Sequence, residues 1–130
     1  MKLFKYVFAV LLLIPVFVSC HKVSGGRIVF DADEVHFDKA GGSRTLRIVE
    51  GGIEHMHVSE MSGTDYPPFE GDGETYLKRD WIELSKVVEE ETDCLVITVS
   101  KNDSSESRYA HIYISYFGGE SGTTVKVYQE

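Results

Sequence analysis

The sequence predicts an all-β domain folded as a two-sheet sandwich, on three observations. Apolar residues recur at every second position through the C-terminal half: Leu95, Ile97 and Val99, then Ala110, Ile112 and Ile114, then Val125 and Val127. That is the period of strands with one buried face. Turn-forming residues close these runs, Asn102 to Ser105 after the first and Gly118, Gly119, Ser121 and Gly122 after the second. No sustained helical period, internal repeat or low-complexity tract interrupts the pattern. A sheet with one apolar face must be covered, so the earlier strands supply a second layer. Seven to eight short antiparallel strands with turns between them fit an immunoglobulin-like sandwich. The internal disulfide of antibody domains is missing, which leaves Trp81 as the core anchor by position.

Taken in order, the chain starts with Lys2 and Lys5 ahead of an unbroken apolar run, Tyr6 to Val18, that stops at Ser19 and Cys20. A basic start, an apolar stretch of that length and a small residue before the break describe an export signal, and the run is short for a membrane-spanning helix. Residues 1–19 are therefore set aside from the fold. The ending Phe17-Val18-Ser19-Cys20 resembles the lipobox of bacterial lipoproteins, with Phe17 where Leu is usual. That resemblance implies lipidation at Cys20 and a chain anchored to the membrane through its N-terminal lipid. The alternative is an ordinary cleaved signal that ends near a cysteine. Lipidation would leave Cys94 without a partner, so no disulfide is expected and Cys94 reads as a half-buried strand residue.

Residues 20–26 read as the lipidated Cys and a short tether of small and polar residues, and 27–130 as the folded domain. Removing residues 1–19 takes away Lys2 and Lys5, so 11 basic residues face 21 acidic ones and the net charge is −10 with His neutral. Such an excess argues against nucleic acid and against electrostatic attachment to anionic lipid. Strands are expected at 27–31, 35–38, 45–52 and 53–61, with Ala40-Gly41-Gly42 as a turn. For 53–61 the alternation leaves open which face is buried. Residues 62–80 carry Pro67, Pro68, Gly63, Gly71 and Gly73 and read as one long irregular loop. Trp81 to Ser85 opens the next strand, and Val87 to Asp93 is a charged connection.

The chemistry that this sequence offers is sparse. A carbohydrate site needs aromatic faces against sugar C–H surfaces and carboxylates or amides for the hydroxyls. The loop supplies Tyr66, Phe69 and Tyr76 with Asp65, Glu70, Asp72 and Glu74 among them, and we take Tyr66, Phe69, Asp72 and Tyr76 as the candidate ligand-binding set. The same rings could instead pack down onto the sandwich. Tyr109, His111 and Tyr113 line the outer side of another strand, where alternating aromatics also arise for packing alone. His55 and His57 share a strand face without a third ligand nearby, and Asp72-Gly73-Glu74 matches a calcium loop only in composition. No cofactor or metal is expected. No nucleophile elbow, zinc helix motif or phosphate loop is present, so no enzyme is expected either.

The order Gly41-Gly42, then Trp81 to Ser85, then Leu95 to Asn102, then Arg108 opening an alternating strand, then Val125 to Gln129 resembles the BACON family over about residues 28–129. These are immunoglobulin-like modules of Bacteroidetes lipoproteins and secreted enzymes. Between Gly52 and Lys78 the chain departs from the family pattern, which usually has an earlier Trp and a shorter connection there. The resemblance implies a non-catalytic module of the cell envelope, anchored through lipid at the outer membrane, that binds carbohydrate or glycoprotein. Its alternative is a structural or partner-binding lipoprotein with no small ligand, and the open sheet edges of a sandwich would let a partner strand add.

Overall fold

The computed structural model describes residues 27–62, 68–116 and 121–130. The expected signal, the lipidation site Cys20 and the tether lie outside the described residues, and so does Tyr66. Among the described residues there are nine strands and no helix: β1 (Val29–Phe30), β2 (Glu34–Phe37), β3 (Gly42–Glu50), β4 (His55–Met61), β5 (Tyr76–Arg79), β6 (Ile82–Glu89), β7 (Thr92–Val99), β8 (Arg108–Tyr116) and β9 (Ser121–Gln129). They form a sandwich of a five-stranded sheet, in the order β1-β3-β7-β6-β5, and a four-stranded sheet, in the order β2-β9-β8-β4.

The alternating residues fill the space between the sheets. Leu84, Leu95, Ile97, Ala110, Ile112, Ile114 and Val127 expose no surface, as the period of two requires. Trp81 is 5% exposed and belongs to the same core. Strand β4 resolves its ambiguity by burying Met56 and Val58 and exposing His55 and His57. A register shift between Val58 and Glu60 then returns Met61 to the core, the usual effect of a bulge on side-chain direction. Cys94 is a free thiol, and at 1% exposure it is fully buried where half-burial was expected.

Three features differ from the sequence expectation. The strand count is nine because β5 forms inside the stretch read as loop, pairing Tyr76 with Ser85 and Arg79 with Ile82. Gly71 and Gly73, at φ 105° and 72°, shape the turn before that strand and do not interrupt it. The charged segment 87–93 is no loose connection: β6 runs to Glu89, β7 starts at Thr92, and Glu90 and Glu91 turn the chain alone, both at positive φ. The pairing is also not antiparallel throughout, since β2 lies parallel to β9, with Val35 opposite Val127. The chain crosses between sheets after β1, and this lets β2 cover the outer side of β9.

One end of the sandwich is closed by polar groups. Arg108 lies over the Trp81 ring at 4.5 Å, donates from Nε to Gln129 Oε1 at 2.7 Å, and reaches the Ser100 carbonyl from Nη2 at 3.0 Å. Burial pulls the Arg108 guanidinium down from its ordinary pKa, against the opposing charges of Asp80 and Asp103. Gln129 Nε2 donates to the carbonyls of Asp38 and Ser100, and Asn102 Nδ2 to those of Glu106 and Glu130. These bonds satisfy the two buried amides, whose burial without partners would be costly. They also tie the loop 100–107 to the last strand.

Candidate functional site

The open flank of the sandwich, between the edge strands β4 and β5, is covered by the segment from Pro68 to Tyr76. Glu70 and Lys78 exchange two backbone hydrogen bonds of 2.8 Å, which makes this segment a small hairpin on the outer edge of β5. The hairpin docks on the opposite sheet where the Met56 N–H donates to the Gly73 carbonyl at 2.6 Å. Both sheets thus hold it. An edge strand left bare would invite unwanted pairing, and β4 is shielded this way.

Asp72 organises the turn. Its Oδ1 accepts the N–H groups of Glu74, Thr75 and Tyr76 at 2.9, 2.8 and 3.1 Å, and its Oδ2 accepts the Thr75 hydroxyl at 2.8 Å. These donors, the Thr75 N–H first, hold its pKa well below the usual carboxylate range. Asp72 is therefore engaged with its own backbone. Tyr76 is half-buried, and its ring lies across Gly71, where a Cβ would collide with the Tyr76 backbone and ring. Phe69 differs: it is 54% exposed, with the Arg79 guanidinium 5.7 Å from its ring centre.

Beside Phe69 a groove of about 160 Å³ runs between the hairpin and β4. Met56, Val58 and Leu77 form its floor, and His55, His57, Phe69, Asp72 and Arg79 its rim. His55 Nδ1 lies 4.0 Å from Glu74 Oε1 on the hairpin, and Arg79 Nη1 reaches the Val58 carbonyl at 3.4 Å. The arrangement combines an exposed aromatic face, two imidazoles and a rigid turn. Of the four residues named from sequence, Phe69 and Asp72 line this groove, Tyr76 packs behind the turn, and Tyr66 lies outside the described residues.

Sequence reasoning missed three contributors, His55, His57 and Arg79. In the sequence the two histidines prompt only a metal reading, and among the described residues no group of three or more His, Cys, Asp or Glu could hold a metal ion. The alternation puts both on one face of β4 but leaves open whether that face is exposed, and it carries no trace of their proximity to Phe69. The second aromatic surface is tied up in local contacts. Tyr109 donates to Glu60 Oε1 at 3.0 Å, His111 Nδ1 lies 3.2 Å from Glu60 Oε2, and the Tyr113 ring lies over Gly122. Such cross-strand packing is what this face uses its rings for.

Comparison with known proteins bears on the second half of the chain. Residues 70–130 match the BACON family, described as "Putative binding domain, N-terminal". The match begins one residue after Phe69 and takes in Asp72, Tyr76 and strands β5 to β9. A solved structure, the NMR structure of the protein from Bacteroides thetaiotaomicron, is similar over 82% of this chain and 88% of that one, with a TM-score of 0.50 and 14% identity. That likeness concerns the fold. No curated protein matches the chain.

Proposed function

We propose that this chain is a non-catalytic binding module of the cell envelope, anchored through lipid at Cys20, and that it takes a glycan or the glycan of a glycoprotein in the groove beside Phe69. The observation that carries this reading is Phe69 itself. A phenyl ring 54% exposed, on a turn shaped by the Asp72 hydrogen bonds and the two glycines, presents an apolar face at a groove that also holds polar side chains. A sugar ring has a C–H face to cover it and hydroxyls for His55, His57 and Glu74, and a fixed turn lowers the ordering cost of binding. The family description as a binding domain supports the same class of function.

The test is a glycan-array screen of residues 21–130 beside the Phe69→Ala and His57→Ala variants. A selective hit should weaken roughly three- to tenfold in Phe69→Ala, the worth of one stacking contact. A hit indifferent to both changes would move the site elsewhere. Silence across host and bacterial glycans, with co-purification of a defined envelope complex, would favour the second reading, a structural or partner-binding lipoprotein with no small ligand. The exposed Val49 and Val88, 69% and 62% accessible, are the observation on that side.

A further inference from the structure

Strand β3 is longer than the strand that covers it. Its outer edge pairs with β1 only at Ile48 and Glu50, and Asp31 adds bonds to the backbone of Arg47. Beyond Asp31 the chain leaves for the other sheet, so among the described residues no strand pairs with the outer edge along Gly42 to Thr45. All four of these residues are exposed, and a Cβ built on Gly42 would meet no atom within 4 Å. Their pairing to β7 on the inner side is regular, from Gly42 opposite Val99 to Arg47 opposite Cys94.

Backbone direction alternates along an antiparallel pair. Arg47 turns its N–H and C=O outward, to Asp31. By the same alternation Thr45 and Ser43 turn theirs outward, and among the described residues no hydrogen bond reaches them. Edges of this kind are normally blunted by proline, a bulge or a covering loop. Among the described residues this edge carries instead the charge of Arg44, which has no ion pair among them, flanked by Arg47 with its long contact to Glu90 at 3.5 Å.

We infer that the Gly42–Thr45 edge receives an extended polypeptide strand with an acidic residue opposite Arg44. The added strand would bond the outward N–H and C=O groups of Ser43 and Thr45 and extend the five-stranded sheet. Charge selects the occupant. In a symmetric pairing of two copies about this site Arg44 would stand opposite itself, and like charges directly opposite destabilise a sheet. An acidic strand meets complementary charge, and β7, central and buried behind β3, holds the edge in place for it.

Residues 27–130 contain the nine strands and the core cluster of the described residues, so the test uses that segment. The probe is a synthetic heptapeptide, Thr-Val-Thr-Glu-Thr-Val-Thr, against its counterpart with Lys at the centre, followed by amide NMR. The Glu peptide should shift the amides of Ser43, Arg44 and Thr45, slow exchange at Ser43 and Thr45, and bind roughly fivefold tighter than the Lys peptide. Thr45→Pro removes an outward donor without touching the β7 ladder and should weaken binding at least about fivefold at an unchanged melting temperature. Arg44→Glu should invert the preference between the peptides. Absence of saturable shifts at these amides at millimolar peptide, binding indifferent to Thr45→Pro, or self-association through this edge would each overturn the inference.

Discussion

The carboxylate of Asp72 has four donors within the next four residues, and this local cage decides both its charge and its role. Its folded pKa lies below the ordinary value of 3.8, so the hairpin's extra stability is fully present above that value and is lost as pH falls towards the folded pKa. Acidifying from about pH 5 to pH 2 should therefore lower the protection of the Thr75 and Tyr76 amides, measured as exchange relative to the intrinsic rate at each pH, before the sandwich unfolds. Asp72→Asn, which keeps an acceptor but no charge, should flatten that dependence; an unchanged profile would deny Asp72 the organising part. Trp81 makes a second residue-scale claim. Its ring is buried beneath the Arg108 guanidinium, and Trp81→Ala should cost about 3 to 5 kcal/mol in urea denaturation. A loss below about 1 kcal/mol would remove it from the core.

The turn between β6 and β7 is the clearest conflict of local chemistry with geometry among the elements. Glu90 and Glu91 sit at φ 50° and 62°, the left-handed pair of a type I′ hairpin turn that suits Asn-Gly. Glu91→Gly should raise stability by about 1 kcal/mol, measured by denaturation, because the left-handed strain of a side-chain-bearing residue exceeds the entropy added by glycine. A loss of stability would show that the Glu91 side chain makes an offsetting contact. This turn also explains why the sequence predicts only a charged connection over 87–93: a run of acids carries no hairpin signature. Strand β5 was hidden for a related reason. Tyr76 to Arg79 shows only one buried residue, Leu77, and becomes a strand through pairing with β6 and Glu70. By contrast the buried faces of β7, β8 and β9 are readable, since Leu95 to Val99, Ala110 to Ile114 and Val125 to Val127 alternate without interruption, although β7 and β9 start earlier, at Thr92 and Ser121, in stretches that read as connection and turn.

At the scale of the whole molecule, the sandwich brings together residues that the sequence keeps apart. His55 and His57 meet Phe69 only because Gly73 accepts the Met56 N–H and folds the hairpin onto β4. That docking depends on tertiary contact, so the groove could not be read from composition or period, although its aromatic residue and its turn-forming Asp could. The parallel pairing of β2 with β9 belongs to the same class: it joins the start of the domain to its end and leaves no local trace. The groove beside Phe69 is the proposed place of binding. The most direct test is an NMR titration of residues 27–130 with the strongest hit from the glycan screen, following every backbone amide. Binding in the groove predicts saturable shifts clustered at His55, His57, Phe69, Gly73 and Leu77 that need roughly three- to tenfold more ligand to saturate in Phe69→Ala, with the Gly42–Thr45 edge unmoved. Saturable shifts elsewhere on the sandwich, with these amides silent, would contradict it.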